Sequence, residues 1–186
     1  RRTAAPEKPR FLQEKRGLTG AERGTAMHLA MQFLPLDTPA APEAVTAFAE
    51  RLTARRLLTP EQAAALDIPA LARFLASPLA ERIRNAARLW REYRFALLTD
   101  AGIYDGDAAG EEMLLQGVAD CVFETESGLA VVDFKTDRVQ TAEVQRRAEV
   151  YRAQLDAYAG ALSRILERPV TERILYFFAC GEEISL

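Results

Sequence analysis

The run VVDFKTD, residues 131–137, sets an acid and an amine two apart among apolar neighbours. Strand side chains alternate, so Asp133 and Lys135 share a face with Leu129 and Val131. Asp120 lies in the preceding apolar run, on the face of Gln116, Val118 and Val122 if alternation holds. A short turn at Glu126–Gly128 lets an antiparallel hairpin bring Asp120 beside Asp133. Two carboxylates that close repel, and a positive charge must offset them. Lys135 supplies one. A divalent cation with oxygen ligands supplies two more. Such a cation polarises a phosphoryl oxygen and acidifies a bound water, while an ammonium stabilises charge developing on phosphate. The chemistry this describes is phosphodiester hydrolysis. The same short pattern also describes a structural ion pair, Asp133 with Lys135 or Asp137 with Arg138.

Further candidates flank this pair. Gln154 and Tyr158 are four apart on a helix and project together, where they can hold a phosphate or the cation's water; core packing for Tyr158 and a surface position for Gln154 are the plain alternative. His28, the single histidine of the chain, follows GTAM on a helix; it is a ligand or a structural imidazole. As a ligand it widens metal tolerance from Mg²⁺ toward Mn²⁺. Glu92, between Trp90 and Arg94 on a strand, is a further acid or half of a cross-strand pair. The chain has 21 Arg and only three Lys, at 8, 15 and 135. A lysine kept at 135 suits a site that needs a compact amine rather than a guanidinium.

The elements that must position these residues can be read from caps and periodicity. A helix is expected over 24–34, then a helical insert over 38–86 whose pieces open at Pro42, at the Thr59/Gln62 capping box, at Pro69 and at Pro78. Period-two segments at 88–98, 112–124 and 128–137 read as strands. A long helix over 142–168 ends at Pro169, and a last strand begins at Val170. Residues 1–20 read as a polar arm or linker. The order is helix, insert, three strands, helix, strand, an α/β chain with a mixed sheet.

Bulk properties narrow the classes. With 186 residues and 49% apolar content, the chain suits one globular domain. No apolar run is long enough to span a membrane, and no signal-peptide pattern is visible. A net charge of −3 neither demands nor excludes nucleic acid. Cys121 and Cys180 are too few for an iron–sulfur cluster and read as small hydrophobes of a reducing, cytoplasmic compartment. No glycine-rich phosphate loop is present, so no ATP site is expected here. The chain opens on Arg1 and reads as a piece of a longer protein.

The ordered set GTAMH, GVAD, VDFKTD and QLDAY resembles the RecB-type nuclease domain of the PD-(D/E)XK superfamily, over about residues 20–180. The likeness is greatest to the C-terminal nuclease domains of AddA-type helicase–nuclease subunits. The resemblance implies a restriction-endonuclease-like core, with 21–186 as the nuclease domain. It implies His28, Asp120, Asp133 and the Phe134 carbonyl as metal ligands, Lys135 as catalytic lysine, and Gln154 and Tyr158 as substrate- or water-positioning residues. Glu92 falls where related nucleases often keep a Glu. It implies Mg²⁺ as cofactor with Mn²⁺ tolerated, and single-stranded DNA delivered by upstream helicase domains during double-strand-break repair. An AddB-like subunit is the implied partner. Arg138, Arg146, Arg147 and Arg152 are candidate phosphate contacts, or a solvated face with partners such as Glu143. A catalytically silent channel or docking module, and a hydrolase of another phosphoester such as RNA, are the competing readings.

Overall fold

A computed structural model describes residues 18–103, 107 and 110–186. The arm read over 1–20 therefore lies, up to residue 17, outside the described residues. Six helices and five strands follow in the order α1 (Gly20–Phe33), α2 (Pro42–Ala54), α3 (Pro60–Ala64), α4 (Ile68–Leu75), α5 (Pro78–Asn85), β1 (Leu89–Asp100), β2 (Glu112–Glu124), β3 (Leu129–Lys135), α6 (Val144–Ile165), β4 (Val170–Phe177) and β5 (Glu182–Ser185). Among the described residues no helix is long and apolar enough to cross a membrane.

Side-chain caps set most helix starts. Thr19 and Glu22 form a capping box that begins α1 four residues earlier than expected. Thr59 and Gln62 repeat it at α3, Asp67 caps α4, and Ser77 with Pro78 opens α5. Two helices end short of expectation at residues with left-handed backbone: α2 before Arg56 (φ 58°) and α6 before Glu167 (φ 51°).

The sheet order is β1-β2-β3-β4-β5. Neighbours pair antiparallel except β3 and β4, which are parallel and joined by the α6 crossover. This is the mixed sheet flanked by helices that a restriction-endonuclease-like fold requires. β5 is an addition to the expected order; it extends the sheet beyond β4.

Helices cover both faces. On one, Ala26, Val45, Phe74 and Leu79 pack with Cys121, Val132, Ile174 and Tyr176 in one cluster. The helices read over 38–86 thus build the core on that face. Phe74 meets Phe134, Tyr176 and Phe178 edge-on, with ring centroids 5.4, 5.1 and 6.0 Å away. Each such buried ring contributes about 1.5–3 kcal/mol by burial alone. On the other face, Ala161 and Leu162 of α6 pack with Phe95, Val122 and Val131. Cys121 lies in the core; Cys180 is half-buried, and both are free thiols.

The feature that positions the site is a parting of strands. β2 pairs with β3 only from Glu124/Leu129 to Cys121/Val132. Beyond Val132, β3 stays paired with β4 as far as Lys135, while β2 runs back along β1. Asp120 and Asp133 stand at the fork.

Candidate active site

Asp120 closes the fork. Its Oδ2 accepts the Phe134 N–H at 2.7 Å, replacing a ladder bond that the separating strands can no longer make. Its Oδ1 faces His28 Nδ1 at 3.2 Å. The GTAMH run brings that imidazole in. Gly24, one turn before His28, packs so closely that an added Cβ would sit 3.0 Å from Thr136 Oγ1. At the far end of α1, Arg91 Nη1 donates to the Leu34 carbonyl at 2.6 Å and places a cation at the helix C-terminus. Arg91 precedes Glu92, so α1 and β1 are tied together beside the site.

Glu92 completes a group. Ligating atoms of His28, Glu92 and Asp120 all lie within 4.8 Å of one another. The strand is distorted to allow this. Glu92 has φ 50°, and the ladder registers Arg91 with Cys121 and Tyr93 with Ala119 but not Glu92 with Asp120. Alternation reverses there. Ala119 and Val122 both face α6, whereas Cys121 and Phe123 face the α1 side. Strict alternation, which set Asp120 on the face of Val122, is therefore corrected: the local twist turns Asp120 toward His28.

Asp133 and Lys135 follow the expected alternation, on the side of β3 facing α6. Lys135 Nζ lies 2.5 Å from Asp133 Oδ2. That approach is a charge contact rather than an aligned hydrogen bond, for Asp133 Oδ2 is buried and accepts none among the described residues. Burial and the Asp120 charge push the Asp133 carboxyl up to about 6, against the pull of Lys135. Burial also raises Asp120, but hydrogen bonds from His28 and the Phe134 N–H outweigh it and hold that carboxyl below its usual range. The hydrogen bond to Asp120 raises His28, against desolvation. Burial, then Asp120, raises Glu92. Crowded acids, an imidazole and an unused buried carboxylate oxygen form a donor set that fits a divalent cation.

His28, Glu92 and Asp120 line an open cleft of ≈ 2010 Å³, with Arg23, Arg138 and Gln62 on its walls. Gln154 and Tyr158 do not line it. They meet each other at 3.4 Å on α6, and Tyr158 packs edge-on against Phe95 with centroids 5.0 Å apart. Three of the four arginines expected to reach phosphates have acidic partners: Arg146 with Glu143, Arg147 with Asp137 and Arg152 with Glu149. Glu143 pairs with Arg146 rather than with the expected Arg147. Arg138 is exposed.

The sequence reading missed Tyr151, which contacts Lys135. The available signal was spacing, for Tyr151, Gln154 and Tyr158 recur at i, i+3 and i+7.

The PD-(D/E)XK nuclease superfamily pattern matches residues 5–183. The chain belongs to that superfamily. Among curated relatives, the ATP-dependent helicase/nuclease A-subunit of Desulforamulus reducens is 38% identical over 185 residues, covering 96% of this chain and 14% of the relative. The protein of the same name from Moorella thermoacetica is 40% identical over 96% of this chain and 13% of its own length. That from Pelotomaculum thermopropionicum is 41% identical over 95% of the chain and 14% of the relative. The chain spans about one seventh of the length of these relatives.

Proposed function

We propose that this nuclease domain cuts DNA with a divalent metal ion, acting on single strands fed to it by helicase domains of the same polypeptide. The observation that carries the reading is the meeting of His28, Glu92 and Asp120 at the fork where Asp133 and Lys135 emerge. In this reading His28, Asp120, Asp133 and the Phe134 carbonyl hold Mg²⁺, with Mn²⁺ accepted, and Glu92 assists. The cation, when bound, would polarise the scissile phosphate and acidify the attacking water. Lys135 stabilises negative charge growing on the phosphate. Phe134 N–H fixes the Asp120 carboxylate, leaving its Oδ1 to the His28 side. Gln154 and Tyr158 position substrate from α6. Arg23 and Arg138, exposed on the cleft walls, neutralise the backbone of the entering strand.

The names of the relatives support a motor in the same chain and a second subunit, here taken as AddB-like, with double-strand-break processing as the setting and exonucleolytic cutting as the mode. The reading of a silent module is disfavoured because no acid of the set and no lysine is missing. The test is cleavage of a single-stranded oligonucleotide with Mg²⁺ or Mn²⁺, against matched RNA and duplex DNA. Asp133→Ala and Lys135→Ala should each reduce cutting by at least about 10²-fold. Undiminished cutting by both would defeat the assignment, and equal cutting of RNA would defeat the DNA specificity.

A further inference from the structure

A lysine on four rotatable carbons does not hold one position unaided. Lys135 is gripped from two sides. Asp133 Oδ2 is on one, at 2.5 Å. The ring of Tyr151 is on the other, with Nζ 3.7 Å from its centroid. The ring is itself fixed. Tyr151 Oη donates to Asp137 Oδ2 at 2.5 Å, and Arg147 Nε donates to the same oxygen at 2.8 Å. Arg147 Nη2 reaches Tyr151 Oη at 3.1 Å. Arg147 and Tyr151 are four apart on α6, and Asp137 is two residues beyond Lys135, so one helix face closes over the end of β3.

We propose that Tyr151 is a positioning residue of the cleavage reaction, its ring holding the Lys135 ammonium in place while Asp137 and Arg147 hold the ring. The proposal rests on the nuclease reading above. Its logic is electrostatic. A carboxylate that also serves a divalent cation holds an ammonium less firmly, because part of its charge is spent elsewhere. An aromatic face attracts an ammonium through its quadrupole and leaves the full positive charge available to the phosphate. An ion pair alone would hold Lys135 best just when Asp133 is not engaged. The ring holds it in either state.

The test uses the whole chain and two independent readouts. The first is steady-state cleavage of a single-stranded oligonucleotide with Mn²⁺. Tyr151→Leu should lower kcat by about tenfold with KM and Mn²⁺ affinity within about twofold, the fold-change expected from losing a partly desolvated cation–π contact. Tyr151→Phe keeps the ring and should retain kcat within about threefold. Asp137→Asn should fall between them. The second readout is the NMR signal of the Lys135 side chain, which is one of only three lysines in the chain. Its ε-methylene should be shifted upfield by the Tyr151 ring in the wild type and in Tyr151→Phe, and not in Tyr151→Leu.

A kcat unchanged in Tyr151→Leu, or a Tyr151→Phe as impaired as Tyr151→Leu, overturns the role of the ring. A wild-type Lys135 signal without the upfield shift overturns the contact itself, whether or not Tyr151→Leu folds. If the wild-type chain shows the shift and cuts no DNA under any condition, the nuclease reading fails and the contact is structural only. If it cuts DNA and only the Tyr151 variants behave as wild type, the nuclease reading stands and this proposal falls.

Discussion

Glu92 holds a left-handed backbone (φ 50°) in the middle of a strand. An L-residue there costs about 1–2 kcal/mol relative to an ordinary strand conformation. Such outliers persist where the surroundings over-determine them, and they gather at functional sites. Here the distortion turns an acid toward His28 and Asp120. The strain and the acid can be separated by substitution. Glu92→Gly removes both the carboxylate and the steric cost, whereas Glu92→Ala removes only the carboxylate. In the metal-free chain Glu92→Gly should be more stable than Glu92→Ala by about 1 kcal/mol, read as a higher urea midpoint at equal slope. Both should bind Mn²⁺ more weakly than wild type in calorimetric titration. Equal midpoints for the two variants would mean that the strand bears no strain at Glu92. This residue also shows where side-chain patterns stop being informative. Asp133, Lys135 and Asp120 were legible because acids and an amine stand out in apolar runs. The turn of Asp120 toward His28 depends on a backbone angle at another strand, which no alternation of residue types encodes.

Elements were legible where caps or periodicity marked them. The Thr59/Gln62 box and the prolines at 42, 69 and 78 mark helix starts that the structure contains. The equivalent box at Thr19/Glu22 was readable by the same rule. β5 was not, since EEIS is short, half polar and becomes a strand only by pairing with β4. The contact between α6 and the β1–β2 ribbon hangs on one glycine. A Cβ at Gly117 would sit 2.6 Å from Tyr158 Oη and 2.9 Å from Phe95 Cζ. Gly117→Ala must therefore displace Tyr158 from its edge-on seat on Phe95. We expect a loss of about 1–3 kcal/mol in urea unfolding, typical of inserting a methyl into a packed contact. If Tyr158 positions substrate, cleavage falls as well, and adding Tyr158→Phe to the alanine variant restores neither stability nor cleavage. If Gly117→Ala unfolds at the wild-type midpoint, α6 is not seated against the ribbon as described.

At the scale of the whole molecule, the site couples metal, protons and stability. The Asp133 carboxyl is raised from 3.8 to about 6, and His28 is raised above 6.5. A carboxyl with a raised value in the fold favours the folded state least when ionised. Its penalty is absent below about pH 4 and full above pH 6. The stabilising pair of protonated His28 with Asp120 is full below pH 6.5 and is lost as pH rises through the raised value. Asp120, lowered below 3.8, acts oppositely but in a more acidic window. The two raised groups thus act in the same sense, and metal-free stability should decline from pH 5 to pH 8. A divalent cation competes with the protons on these ligands, so its stabilisation should grow over the same range. At a free Mn²⁺ concentration one hundred times Kd the gain is about 2.7 kcal/mol. For a chain of this size that is a rise of about 5–10 °C in Tm at pH 8, shrinking toward zero at pH 5. Thermal unfolding with Mn²⁺ against a chelator, at both pH values, measures it. Asp133→Asn should flatten the pH dependence of the metal-free chain and remove most of the Mn²⁺ increment. Equal increments at pH 5 and pH 8, or an undiminished increment in Asp133→Asn, would place the cation away from Asp133 and His28.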